Sequence, residues 1–521
     1  DGIRDPDHSL VGSEMCIRDR SILLPADKTT PARINKAVRF PHGAPDTRML
    51  TPKRINRQAL ITSQKQLVDY LAAGARPAAE WGIGAEMEKL VLDARTGAAA
   101  DFSRIEALLN ALAGTGDWRK LREGSRVIGL QGEHSSVTIE PGGQLELSGQ
   151  LCADLFCNCS DFSKHIVHAV QACRALDLVL VGLGTQPFSS LDEIEWAPKA
   201  RYDIMGPYML KTGDMGQRMM KQSAGLQVNL DFSDEADCMR KLRLAQYLAP
   251  LLYGLFANSP LLDGQPSGFL STRGEIWSRT DPDRTGLLPF LDNPDAGFAD
   301  YVDYALDVPM YFIVREGEYL DLTQRPFRFR EFLDTGHAGH RATMADWDLH
   351  LSTLFPEVRL RPQVEVRCAD SLPPHLVLTV AALLKGLMYD EQAFQAAWDQ
   401  CRLDSLDEIR DRCRQAWRLG LRTPWKTGTL QDLARSCLDL ARAGLDRQQV
   451  KRGQERSESC FLDGLDRLIE SGQTLAEQLL QNWHGERREK FKKLVGHCGF
   501  FDVATNRSGD DCANAQFFVA D

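Results

Sequence analysis

Gln227-Val-Asn-Leu-Asp231 alternates an amide or acid with an aliphatic residue, and three other stretches follow suit: Glu86-Met-Glu88, Gln144-Leu-Glu-Leu-Ser148 and Glu365-Val-Arg367. Successive side chains of a β-strand point to opposite faces, so each stretch gathers its polar groups on one face and its aliphatic groups on the other. One such strand describes any half-solvated antiparallel sheet. Four of them, rich in carboxylates and closing on an arginine, point to a sheet whose polar face holds divalent metal and a phosphorylated nucleotide.

Around these strands the hydrophobic pattern predicts helices. Ser63-Gln-Lys-Gln-Leu67 opens one that ends at Gly74, and Ile105, Leu108, Leu109 and Leu112 share one face of another over 102–112. Trp81 to Asp93 reads as a strand, Val137 to Leu147 as two strands around the turn Pro141-Gly-Gly143, and Val179 to Gly184 as a buried strand. Asp154 to Leu176 and Asp234 to Asn258 read as long helices, the second capped by Ser233 or Asp234. Pro260 to Phe298 is dense in Gly, Pro, Asp and Arg, the composition of a functional loop. Val302 to Phe312 returns to strand character, and helices are predicted at 374–398, 404–417, 429–444 and 459–484. Strands and helices mix without regular β-α alternation, which gives an α+β fold with a largely antiparallel sheet.

At 521 residues the chain exceeds one ordinary compact core. The sequence divides into a leader over 1–48, a catalytic region over 49–400, a helical region over 401–490 packed on it, and a tail over 491–521. Gly12-Ser-Glu-Met-Cys-Ile-Arg-Asp-Arg20 resembles translated adapter read-through and has no apolar core of a secretory signal, so the native start is expected near Met49. A formal charge of −10 argues against nucleic-acid and anionic-membrane partners. No run is long and apolar enough to span a bilayer. The 13 cysteines follow no metal spacing, and a reduced cytoplasmic protein is expected.

Each candidate group has an ordinary reading when taken alone. Glu86 and Glu88, two residues apart on a strand, can ligate neighbouring magnesium ions or simply edge a solvated sheet. Glu140 and Glu146 flank a Pro-Gly-Gly turn whose glycines let the backbone approach a ligand. Gln227, Asn229 and Asp231 could coordinate metal or nucleotide through amide and carboxylate oxygens. Arg367, two residues beyond Glu365, could neutralise charge on a transferring phosphoryl group, or form a surface ion pair. The loop from Gly268 to Gly286 interleaves Arg273 and Arg284 with Trp277, an arrangement that suits a carboxylate substrate. Arg201, Tyr202 and Tyr208 form a second polar–aromatic cluster. Gly182-Leu-Gly184 lacks the spacing of a dinucleotide fingerprint, and neither a P-loop nor a nucleophile elbow occurs.

Seven ordered stretches together resemble glutamate–cysteine ligase of the plant and proteobacterial type: 139–148, 198–205, 227–233, 255–260, 268–286, 301–310 and 354–359. The likeness runs from about Trp81 to Asp390, and more loosely to about residue 484. It implies a glutamine-synthetase-like curved sheet with its acidic face around Mg-ATP. Glu86, Glu88, Glu140, Glu146 and Glu365 stand at the matching metal-ligand positions, with Gln227 where relatives often have histidine. Two or more Mg²⁺ ions, with ATP, glutamate and cysteine as small-molecule substrates, are implied. Arg367, Arg273 and Arg284 are the candidates for catalytic contacts to substrate carboxylate or phosphoryl, and Arg201, Tyr202, Tyr208, Trp277 and Asn229 for the substrate pocket. The implied product is γ-glutamylcysteine, formed through a γ-glutamyl phosphate by a monomer or homodimer.

Three rivals share some of these residues. A ligase with another amine acceptor would use the same chemistry, and a magnesium-dependent phosphotransferase or phosphohydrolase would use the same acidic sheet without forming an amide. A non-enzymatic amino-acid-binding protein is the third, against which stands the mutual repulsion of five clustered carboxylates without metal.

Overall fold

The computed structural model describes residues 56–452 and 456–501. The leader over 1–48 and residues 502–521 of the tail lie outside the described residues. The principal strands are β1 (Ile83–Asp93), β2 (Arg119–Glu123), β3 (Arg126–Gln131), β4 (Ser136–Ile139), β5 (Leu145–Ser148), β6 (Leu178–Val181), β7 (Gly225–Leu230), β8 (Val358–Leu360) and β9 (Val364–Asp370). Among the described residues they form a nine-stranded sheet in the order β8-β9-β7-β1-β5-β4-β3-β2, with β6 paired to β1 off this path. Every pairing within it is antiparallel.

β1 is central because it is long. Its first half pairs with β5 on one side and β7 on the other, and its second half pairs with β6. Register then sorts the faces. Glu88 lies opposite Glu146, Glu86 opposite both Ser148 and Gln227, and Asn229 opposite Glu365. The polar members of the alternating stretches therefore share one face, while Ala85, Met87, Leu145, Leu147, Val228 and Val366 share the other and are buried.

Helices α1 (Gln64–Ala72), α2 (Phe102–Ala113), α3 (Leu155–Ala175), α4 (Arg201–Thr212), α5 (Gly216–Gln222), α6 (Glu235–Leu255) and α7 (Thr272–Ser278) surround the sheet. α2 buries Ile105, Leu108, Leu109 and Leu112, and packs on β3 and α3. Asp101, Asp154 and Asp234 cap α2, α3 and α6 by accepting backbone N–H groups of the first turn. Each fully buried leucine of α2 contributes about 1.5–3 kcal/mol, so Leu109→Ala would cost about 2–5 kcal/mol.

The structure corrects several readings. Val302 belongs to α8 (Phe298–Asp307), not to a strand. Phe298, Tyr301, Val302, Ala305 and Leu306 recur at helical spacing and are buried, and the Asp300 carboxylate accepts the Gly297 N–H at 2.8 Å to start the helix. Strand structure begins only at Phe312. The expectation of an all-reduced chain fails at Cys152 and Cys157, which form a disulfide. The turn into α3 brings their Cα atoms to 5.7 Å, within bridging range.

The remaining helices are α9 (Phe329–Thr335), α10 (Met344–Ser352), α11 (Thr379–Met388), α12 (Glu391–Cys401), α13 (Leu406–Leu419), α14 (Leu430–Gln448), α15 (Asp463–Ser471), α16 (Leu475–Leu480) and α17 (Arg487–Cys498). The helix read over 374–398 breaks between α11 and α12, where Asp390 accepts the Ala393 N–H and restarts the chain. α11 packs on α14 and touches β7 and β1, so the C-terminal helices share the core of the sheet. Lys385 of α11 reaches both carboxylate oxygens of the buried Glu458, at 2.7 and 2.5 Å. Glu458 also accepts the Leu155 N–H at 2.6 Å, tying α11 to the start of α3. No helix among the described residues is long and apolar enough to cross a membrane.

Two stability predictions follow from buried charge. Glu458→Ala strands Lys385 without its anion and should lower unfolding stability by about 3–5 kcal/mol in a denaturant titration. Burial holds His350 down at about 3 and His497 at about 4, below the usual 6.5. Between pH 6.5 and 4 the unfolded chain therefore binds protons that the folded chain refuses, so the melting temperature should fall as pH drops through that window.

Candidate active site

The polar face is itself buried. Glu86, Glu146, Gln227, Asn229, Glu365, Arg359 and Arg367 are each at most 5% exposed. Such groups must pair with one another or with a ligand. Thr138 donates to Glu146 at 2.7 Å, Asn229 Nδ2 to Glu86 at 3.0 Å, and Gln227 Nε2 to Glu88 at 3.2 Å. The Gly225 N–H adds a 2.6 Å bond to Glu88.

Glu140 sits beyond β4, in the turn that leads into β5. Its N–H bonds the Gln144 carbonyl at 2.9 Å, and Gly143 turns the chain at φ +84°. A Cβ on Gly142 would lie 2.1 Å from the Lys221 carbonyl oxygen, so glycine is required there for close backbone approach. The segment before α4 is pinned to this turn: Ala197 N–H bonds Pro141 O at 2.8 Å, and buried Lys199 donates to Ile139 O at 2.6 Å.

The carboxylates fall into two electrostatic classes. Burial and then Glu140 push Glu88 up to about 8; burial and then Glu365 push Glu86 up to about 7. Glu146 is raised well above its usual range by burial and by Glu140, Glu86 and Glu88. Glu365 goes the other way, to about 2: burial opposes ionisation, but the guanidinium groups of Arg359 and Arg367 prevail. Arg359 grips it bidentately, with Nε and Nη2 each 2.9 Å from a carboxylate oxygen. Arg367 Nη1 donates to the same carboxylate and to Gln227 Oε1.

The sequence-predicted residues thus come together unequally. Glu86, Glu88, Glu146, Gln227, Asn229, Glu365 and Arg367 form one connected patch, with Glu140 at its rim by charge. Arg273, on α7, joins them: its Nη2 donates to the Arg367 carbonyl at 3.0 Å, and both guanidinium groups lie over the Trp277 ring, at 4.9 and 5.4 Å. Arg273 Nε and Nη1 are buried with no acceptor. Arg284 is engaged in holding the protein, through Asp281 at 2.6 Å, Thr353 O at 3.1 Å and Pro309 O at 2.7 Å, with Tyr311 and Tyr208 packed against it. Arg201 lies over Phe312 and Tyr202 beside Lys199 and Trp196. Asp231, one residue past the end of β7, accepts the Gly82 N–H at 2.8 Å.

Arg359 is a member of this patch that the sequence pattern did not single out. The signal was present: Glu357-Val-Arg359 repeats the Glu365-Val-Arg367 triplet, and the hairpin β8–β9 places Arg359 directly opposite Glu365.

An oxygen-only donor set of mutually repelling carboxylates fits a hard divalent cation. Among the described residues no three acidic, histidine or cysteine groups are gathered tightly enough to ligate one ion. Magnesium tolerates that, since it keeps several waters and shares one or two carboxylates with substrate phosphates. Two variants separate the carboxylate classes. Glu88→Gln relieves repulsion and should leave the melting temperature unchanged or higher while lowering turnover by about 10²-fold or more. Glu365→Gln leaves Arg359 buried without its anion and should cost about 3–5 kcal/mol of stability as well.

The model of glutamate-cysteine ligase family 2 (GCS2) matches residues 82–497. A chloroplastic glutamate–cysteine ligase of Medicago truncatula is 39% identical over 439 residues, 84% of each chain. That of Arabidopsis thaliana is 40% identical over 429 residues, 81% of this chain and 80% of the relative. A crystal structure of glutamate–cysteine ligase from Francisella tularensis in complex with AMP aligns with 80% of this chain and 88% of its own, at 13% identity and a TM-score of 0.48.

Proposed function

The chain belongs to glutamate-cysteine ligase family 2, and we propose that the buried acidic face of its sheet is where that chemistry takes place. The enzyme is an ATP-dependent ligase that joins the γ-carboxylate of glutamate to the amine of cysteine, the first step of glutathione synthesis. The observation that carries the site is one patch combining repelling carboxylates with a buried guanidinium whose Nε and Nη1 have no acceptor. Such a patch attracts both cations and an anion, which is what a nucleotide triphosphate with its counter-ions presents.

In this reading Glu86, Glu88, Glu140 and Glu146, with Gln227 and Glu365, would hold two or more Mg²⁺ ions. When bound, these ions offset the charge of the phosphate oxygens. Arg367 is held by Glu365 and Gln227 next to that charge, and Arg273 supplies the two N–H groups that still lack acceptors. Together they stabilise the oxygens on which charge develops as the γ-phosphoryl group passes to the glutamate γ-carboxylate. The cysteine amine then attacks the acyl carbon, and phosphate leaves. No protein nucleophile is needed. Trp277 supports both arginines, Asn229 orients Glu86, and Arg201, Tyr202 and Tyr208 line the amino-acid pocket. Arg284 acts at one remove, by holding Tyr208 and Tyr311 in place.

The antiparallel sheet with one acidic face supports a glutamine-synthetase-like cup. We place the enzyme in the cytoplasm as a monomer or homodimer with no nucleic-acid or membrane partner; the two plant relatives are named as chloroplastic.

Two measurements test the site. ADP release should require glutamate and cysteine together; equal release without an acceptor would mean a phosphotransferase or hydrolase. Mg²⁺ with a non-hydrolysable ATP analogue at about 100 times its Kd should stabilise the protein by about 2.7 kcal/mol, and chelation should reverse it. Glu88→Gln should abolish that thermal shift, and a full shift in the variant would remove Glu88 from the metal set.

A further inference from the structure

β9 does more than carry Glu365 and Arg367. Its pairing with β7 slips between Val366, opposite Val228, and Ala369, opposite Leu226, so Arg367 and Cys368 together face the single residue Gln227. That bulge frees the Arg367 carbonyl from the ladder, and Arg273 Nη2 takes it as acceptor at 3.0 Å. Three residues further, the strand ends on Asp370, which is 1% exposed and has no place in the reaction as described.

The Asp370 carboxylate is an organising centre for the chain that delivers Arg273. It accepts from Ser259 Oγ at 2.7 Å, Asn258 N–H at 2.8 Å and Ser271 Oγ at 3.0 Å. Ser259 Oγ in turn accepts the Arg273 N–H at 3.1 Å, and Ser271 Oγ accepts the Gly274 N–H at 3.2 Å, which caps α7. One carboxylate thus fixes both hydroxyls that hold the first turn of α7. Two glycines keep the space open. A Cβ on Gly184 would lie 2.6 Å from Asp370 Cγ, and a Cβ on Gly225 would lie 2.7 Å from Arg273 Nη2. Gly184, which belongs to no nucleotide-binding loop, is explained by this contact.

We propose that Asp370 is a positioning residue for Arg273, acting through Ser259 and Ser271 to set where the two acceptor-free N–H groups of the guanidinium meet the anionic substrate. Arg273 is anchored at its backbone by the Asp370 network and at Nη2 by the bulge carbonyl, both from β9. The strand that holds Arg367 therefore also sets the distance between the two arginines. This role rests on the reading of Arg273 as a substrate contact.

A double-mutant cycle in kcat/KM tests it. Arg273→Lys should lower kcat/KM about 10²-fold. Asp370→Asn should lower it about 10-fold in the wild-type background and less than about 2-fold in the Arg273→Lys background, because the group it positions is already gone. Ser271→Ala should show the same dependence at smaller size, and Ser271→Thr, which restores the hydroxyl, should recover most of the loss. Should Asp370→Asn fail to fold, the Ser271 pair decides alone. Equal losses in both backgrounds, or none, would overturn the role of Asp370. Near-wild-type kcat/KM in Arg273→Lys would instead overturn the reading of Arg273 itself.

Discussion

Like charges held together out of water are the constraint on which this protein is built. Glu88, Glu140 and Glu146 each oppose ionisation of another, and burial compounds the effect. A fold can hold such a group only if hydrogen bonds fix the oxygens and nearby cations balance the charge. Both devices are present. Thr138, Gln227, Asn229 and the Gly225 N–H fix the acids of β1 and β5, while Arg359, Arg367 and Arg273 supply positive charge to Glu86 and Glu88, and Lys199 and Lys89 face Glu146. The imbalance that remains is what the proposed metal and nucleotide would offset.

The difference between Glu365 and the other acids follows from strand order. β8 and β9 lie at one end of the sheet and carry the arginines that neutralise Glu365; β1 and β5 lie inward and carry the acids left in excess. β7 stands between them with two amides, Gln227 and Asn229, each bonded to a carboxylate of β1. An amide there keeps a proton donor between groups that would otherwise meet charge to charge. The apolar face, packed by α2 and α3, carries the buried cation Lys89 on β1, whose ammonium lies within the field of Glu146 and Glu88.

Irregular backbone completes the site. The bulge in β9 releases a carbonyl for Arg273, and the Pro141-Gly-Gly turn brings Glu140 against the segment before α4. Regular ladders would have satisfied those groups within the sheet and left Arg273 Nη2 without this acceptor. The long segment after α6 is therefore no free loop. α7 lies within it, capped by Ser271 and packed through Gly274 against the Trp417 ring.

Much of this was legible in the chain. A period of two is a local property, so Glu86, Glu88, Gln144, Glu146, Gln227, Asn229 and Glu365 could be sorted to one face of their own strands before any pairing was known, and seven ordered stretches were enough to place the family. Val302 to Phe312 misled because its aromatic and branched residues suit a strand, whereas burial on both sides of Tyr301 made helical spacing the better packing. The Cys152–Cys157 pair escaped notice because its closeness comes from the turn into α3. Pairing between strands far apart in the chain is what the sequence could not settle. Only the tertiary structure set Arg359 opposite Glu365, made that glutamate the neutralised one and left its neighbours repelling each other. The reason is physical: alternation fixes which way a side chain points, but a carboxylate's charge state depends on which distant strand packs beside it.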